Sequence, residues 1–147
     1  MIRSDLRTYL KSRSGLTDLV GGASDPRLYL SNIPQAPALA NYPCVVYRRA
    51  SGGYEHELDG SAGKASTLFE VHVFGTDTDE VEAIGNQLRL ALDGFCGTMG
   101  DTAVDCVTID DEFDDYIETK IGDDLVGFHR TVLEFTIQHD VAIPVFS

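Results

Sequence analysis

Between residues 67 and 75 the chain reads TLFEVHVFG, and directly after it the hydrophobic period changes. In the first stretch Phe69, Val71 and Val73 fall on one face and Glu70 and His72 on the other. A period of two belongs to a half-buried strand. In the second stretch, TDTDEVEAIGNQLRLALDGF, a stripe of Val81, Ile84, Leu88, Ala91, Leu92 and Phe95 recurs at helical spacing. Asp77 and Glu80 make a capping-box-like start, and Gly94 suits the C-terminal cap. A strand that runs into an amphipathic helix needs a partner layer for each buried face, which leaves few architectures open.

The same reading carries along the chain. Ile2, Leu6, Tyr9 and Leu10 predict a helix over residues 2 to about 12, and LTDLV a further helical turn that stops at Gly21-Gly22. RLYL (27–30) and CVVYRRA (44–50) read as strands, separated by a proline-rich loop or arm over 31–43. YEHEL (54–58) continues the second strand or pairs with it. LDGSAGKAS (58–66) reads as a small-residue loop between two strands. TAVDCVTID (102–110) is another strand, and DEFDDYIETKIGDDLVG an acidic strand edge and turn. FHRTVLEFTIQHD (128–140) closes the series with Leu133, Phe135 and Ile137 inward. The expected class is α+β: a mainly antiparallel sheet with helices packed on one face. At 147 residues this is a single domain over 1–140, with VAIPVFS as an extended C-terminal tail over 141–147.

Charge and motifs exclude several kinds of chemistry. Eleven basic residues against 24 acidic give −13, a surface that repels nucleic acid, since binding it needs cations to displace counterions. No apolar run approaches a membrane span, and the charged N-terminus is neither signal peptide nor anchor. Cys44, Cys96 and Cys106 form no C-x-x-C and read as reduced, buried thiols of a cytosolic chain. Gly63-Lys64 mimics the end of a phosphate-binding loop, but Leu58 stands where that motif's first glycine belongs and Ala65 where it needs Ser or Thr. The following residues also read as a strand, not a helix. His72 and His129 lie on strands that can be neighbours, which allows a two-ligand patch, short of the three or four ligands a metal needs. DDEFDDYIE lacks the glycine and flanking helices of a calcium loop. Cys96 stands near glycines in GFCGTMG, without a nucleophile motif. No cofactor, metal or catalytic residue is assigned.

Three pieces of the chain resemble the tail completion, or tail terminator, proteins of long-tailed bacteriophages and gene-transfer particles. They are YPCVVYRRASGGYEHELDG, the strand-to-helix run that ends ALDGFCGT, and the closing strand GFHRTVLEFTIQH. The resemblance spans most of residues 1–140. It implies a structural protein, not an enzyme, placed in the virion at the head-proximal end of the tail after assembly in the host cytoplasm. Such proteins cap the tail tube, stop its polymerisation and offer a surface to the head connector, acting as a ring, typically of six copies, through which DNA passes without specific binding. On that reading Asp59, Gly60, Ser61, Ala62, Gly63 and Lys64 form a loop that docks on the tube or an adjacent subunit. Lys64 is the loop's one cation, free to meet an acidic neighbour. Val141, Ile143, Val145 and Phe146 add to a neighbouring subunit, and Asp110, Asp111, Glu112, Asp114, Asp115, Asp123 and Asp124 line the lumen or an interface. The competing readings are a head–tail connector or tube-like virion protein and, from another class, a small cytosolic ligand-binding domain or enzyme.

Overall fold

Strand character extends well past the apolar residues that announce it. The computed structural model describes residues 1–31, 41–58, 60–121 and 123–146. Most of the proline-rich arm, together with Asp59, lies outside them. Among the described residues the elements run α1 (Ile2–Lys11), α2 (Ser14–Thr17), β1 (Leu28–Leu30), β2 (Cys44–Glu57), β3 (Gly60–Gly75), α3 (Thr78–Leu92), β4 (Gly97–Met99), β5 (Thr102–Ile121) and β6 (Asp124–Asp140). The expected loop over 59–66 is therefore strand from Gly60 onward, and the acidic segment after Asp110 continues β5 to Ile121.

The strands form one six-stranded sheet in the order β1-β2-β3-β6-β5-β4. β1 pairs with β2 in parallel, and every other pairing is antiparallel. This corrects the expected α+β layering. The molecule is a helix-poor domain built on a strongly curled mixed sheet, a half-barrel, in place of a mainly antiparallel sheet with helices laid on one face. The physical reason is strand length. Strands of 14 to 20 residues accumulate right-handed twist until the sheet coils. Register shifts at Arg49/Ser51, Tyr54/His56, Val104/Cys106 and Ile109/Asp111 bend the two outer long strands further.

One apolar cluster fills the curl. Phe69, Val71 and Val73 of β3 and Leu133, Phe135 and Ile137 of β6 are all fully buried, as their alternation predicts. Phe69 and Phe135 are direct cross-strand partners with ring centroids 5.7 Å apart. Leu6 and Leu10 of α1, Leu16 of α2 and the α3 stripe Val81, Ile84, Leu88, Ala91 and Leu92 belong to the same cluster. Asp77 caps α3 by accepting from the Asp79 amide at 3.0 Å. Gly94 follows the helix at φ +75°, the left-handed conformation that glycine adopts without strain. The Tyr9 hydroxyl donates to the Ala91 carbonyl at 2.5 Å and ties α1 to α3.

The register sends two hairpins past opposite ends of the sheet. β3 and β6 pair from Lys64↔Asp140 to Gly75↔His129. Beyond the first pair, β2 and β3 continue to Glu57↔Gly60. Beyond the second, β5 and β6 continue to Ile121↔Asp124 with no third strand beside them among the described residues.

Candidate functional site

The seven acidic residues singled out in sequence all fall on the β5/β6 hairpin. Asp110 and Asp114 accept from the hydroxyls of Thr136 and Thr131, each at 2.6 Å. Asp115 takes two bonds from the Arg130 guanidinium, one at 2.8 Å, and this cation holds its carboxyl below the usual range. Asp111 stands opposite Glu134, which stands opposite Glu70, so three carboxylates line up across three neighbouring strands. Arg48, opposite Glu70 at the end of that row, bonds its carboxylate and lowers its pKa. Asp123 lies in the turn, and Asp124 opens β6. Sequence reasoning missed the exposed Phe113, Tyr116 and Leu125 interspersed with these charges. Phe113 and Tyr116 in EFDDYI and Leu125 in DDLVG were the signal available.

At the other hairpin, Lys64 does not project as an unpaired cation. Its ammonium donates to Asp140 and, at 3.1 Å, to Asp105, both of its own chain, and these bonds raise its pKa. Gly60, Ser61, Ala62 and Gly63 are strand residues beside it, and Asp59 lies outside the described residues. The glycine of the "GK" pair has a local purpose. Gly63 adopts φ +73°, and a Cβ there would sit 3.0 Å from Ile143 Cγ1. Its carbonyl accepts from the Val141 amide at 2.9 Å. Gly63 thus gives the C-terminal tail a surface to lie on. Val141 is half-buried there, whereas Ile143, Val145 and Phe146 are exposed, the last by 92%. Tyr54 and Leu58 add exposed apolar surface to this hairpin.

A cavity of about 680 Å³ lies under the same end, lined by Met1, Ile2, Tyr54, Thr67, His139 and Val141 among others. His139 is buried in its wall. Its Nδ1 lies 3.0 Å from the Asp140 carbonyl and its Nε2 2.8 Å from the Thr67 hydroxyl. With Nδ1 donating to the carbonyl, Nε2 accepts from Thr67, so both ring nitrogens are engaged within the chain. Among the described residues no buried side-chain nitrogen or oxygen lacks a partner. His72 and His129 do lie on adjacent strands, but His72 pairs with Val132 and His129 with Gly75, and the pleat turns them to opposite faces. Of the three free cysteines only Cys44 is buried, which pushes its thiol up to about 12; Cys106 is half-buried and Cys96 exposed.

A solved chain titled "Virion of native gene transfer agent (GTA) particle" shares this fold, with a TM-score of 0.66 and 14% identity over 95% of this chain and 94% of that one. No curated protein matches the sequence. The protein is of a class that builds virions. The family described as "Tail completion protein gp17" matches residues 4–137, and the chain belongs to that family. It is a structural component of a phage-type tail and interacts there with other tail or head components.

Proposed function

We propose that this protein closes the finished tail. It caps the tube, stops tube polymerisation and presents the surface to which the head connector attaches, as a ring of six copies at the head-proximal end. The observation that carries this reading is the pair of hairpins leaving opposite ends of one sheet. A closing ring needs two unlike axial or lateral surfaces on each subunit, and a cyclic ring uses a heterologous contact, one patch against a different patch. The β2/β3 hairpin with the tail residues Val141, Ile143, Val145 and Phe146 supplies one such surface, facing the tube or an adjacent subunit. The acidic β5/β6 hairpin supplies the other. Six copies at −13 each carry roughly −78, so DNA threads the channel without adhering.

Purified protein is examined by native mass measurement and negative-stain imaging, with and without isolated tail tubes. Six-fold rings, or a cap on one end of each tube, support the proposal. A chain that stays monomeric and leaves both tube ends bare ends it. Deleting 141–147 is expected to impair ring formation; an intact ring removes the tail from the subunit contact.

A further inference from the structure

We propose that the acidic β5/β6 hairpin of one copy docks across the basic face of α1 on a second copy. This rests on the ring reading above and names its lateral contact.

The hairpin needs a cover. Among the described residues, the strands from Tyr116 to Ile121 and from Asp124 to Phe128 pair only with each other. Phe128 is buried against Tyr42, but beyond it the ribbon stands alone, and a two-stranded ribbon alone is marginal in water. Tyr116 and Leu125 are 56% and 66% exposed on it. Glu118, Asp123 and Asp124 on the same segment have no cationic partner among the described residues.

The complementary surface is at the other end of the chain. The protein as a whole is strongly acidic, yet residues 1–30 hold five basic side chains against three acidic ones. Arg3, Arg7 and Lys11 follow at four-residue spacing, one stripe of α1, and Arg13 stands just beyond the helix. Like charges at this spacing repel by about 0.2–0.5 kcal/mol per pair. The sole acid on α1, Asp5, is buried and bonded on the opposite side to Thr102. None of these four cations has a carboxylate partner among the described residues. Arg7 and Lys11 also line a shallow groove with Ser4, Thr8, Ser12 and Ala23, where hydroxyls supplement the charges. The ribbon carries Glu118, Asp123 and Asp124 against one cation, Lys120, with Tyr116 and Leu125 among them, so it matches such a groove in net charge and in apolar content. The two patches differ, so the contact repeats head to tail around a ring.

The test uses two full-length variants. Arg3→Glu/Lys11→Glu/Arg13→Glu makes the helix face acidic; Glu118→Lys/Asp123→Lys/Asp124→Lys makes the hairpin basic. All six positions are exposed or half-exposed, and circular dichroism checks that both variants fold. Assembly is measured by native mass and imaging, in solution and on isolated tail tubes, at low and high salt. Wild-type assembly is expected to fall with salt. Each variant alone is expected to lose assembly. An equimolar mixture is expected to regain it as alternating 1:1 rings, because each helix then faces a hairpin of opposite charge.

Variants that still assemble alone, or a mixture that stays apart, overturn the contact. Variants that assemble alone but no longer join heads to tails overturn it too, and assign the hairpin to a tube or connector protein while the capping function stands. A mixture that forms rings but leaves tube ends uncapped keeps the contact and ends the capping function.

Discussion

Asp5 and Thr102 stand 97 positions apart in the chain and bond side chain to side chain. The contact pins α1 to the first residue of β5. The Asp5 carboxylate also meets the Met1 ammonium at 3.1 Å and the Asp101 amide at 3.4 Å. Burial acts to raise its pKa, but the Thr102 hydroxyl, the ammonium and the amide together outweigh that and lower it. Replacing Asp5 by Ala removes the acceptor and leaves the Thr102 hydroxyl unpaired at a partly buried site. The expected loss is about 1–3 kcal/mol of folding stability, read by urea unfolding. A Thr102→Val variant, which removes the other partner, should add little to Asp5→Ala in the double mutant.

Gly100 carries the neighbouring turn at φ +53°, and a Cβ there would lie 2.4 Å from Asp5 Oδ1. Gly100→Ala therefore strains the backbone and pushes the carboxylate away from Thr102. It is expected to destabilise by at least as much as a left-handed alanine costs, about 1–2 kcal/mol. Thermal melting checks this, and an unchanged midpoint would contradict the geometry.

The Asp115–Arg130 pair gives a pH test. The Arg130 bonds hold the Asp115 pKa below its ordinary 3.8. A depressed carboxylate adds stability that is present above the ordinary value and lost as pH falls through the lower, folded value. Asp115→Asn is thus expected to melt below wild type at neutral pH, with the gap closing in acid. The difference between the two curves is the quantity to plot, because the fading of a net charge of −13 in wild type and −12 in the variant acts on both nearly alike. A gap that keeps its full size however far the pH falls below the ordinary 3.8 would show that the pair is not its cause.

Lys64 stands between Asp105 and Asp140. Lys64→Glu places three carboxylates together where β6 hands over to the C-terminal tail. The expected result is a tail released from Gly63, seen as faster amide exchange at Val141, and fewer joined particles when the variant replaces wild type. Full particle yield with unchanged exchange would mean that this corner of the molecule is inert.

What was legible in the sequence follows physical lines. α3 announced itself because Asp77, the Val81–Leu92 stripe and Gly94 all act locally. The inner face of β6 did so through Leu133, Phe135 and Ile137. Residues 60–66 did not, since Gly60, Ser61, Ala62, Gly63 and Ala65 have little intrinsic preference for a strand. They are held as one by pairing with β2 and, at Lys64 and beyond, with β6. The acidic part of β5 was hidden for the same reason: Asp disfavours strands, and only the ladder to β6 fixes it. Composition revealed the acidic run of the candidate surface. Its place on a projecting hairpin depended on a register that no local pattern encodes.

The seam between β3 and β6 has a kinetic consequence. It joins residues as distant as Lys64 and Asp140, 76 positions apart, while β2 and β3, and likewise β5 and β6, are separated by only two residues in the chain. Loop-closure entropy makes the local hairpins cheap to form early and the central seam slow, because contact order there is high. Until it closes, two edges rich in valine and phenylalanine stand open in a crowded cell. The newly made chain is therefore most prone to aggregate as two finished halves that have not yet met.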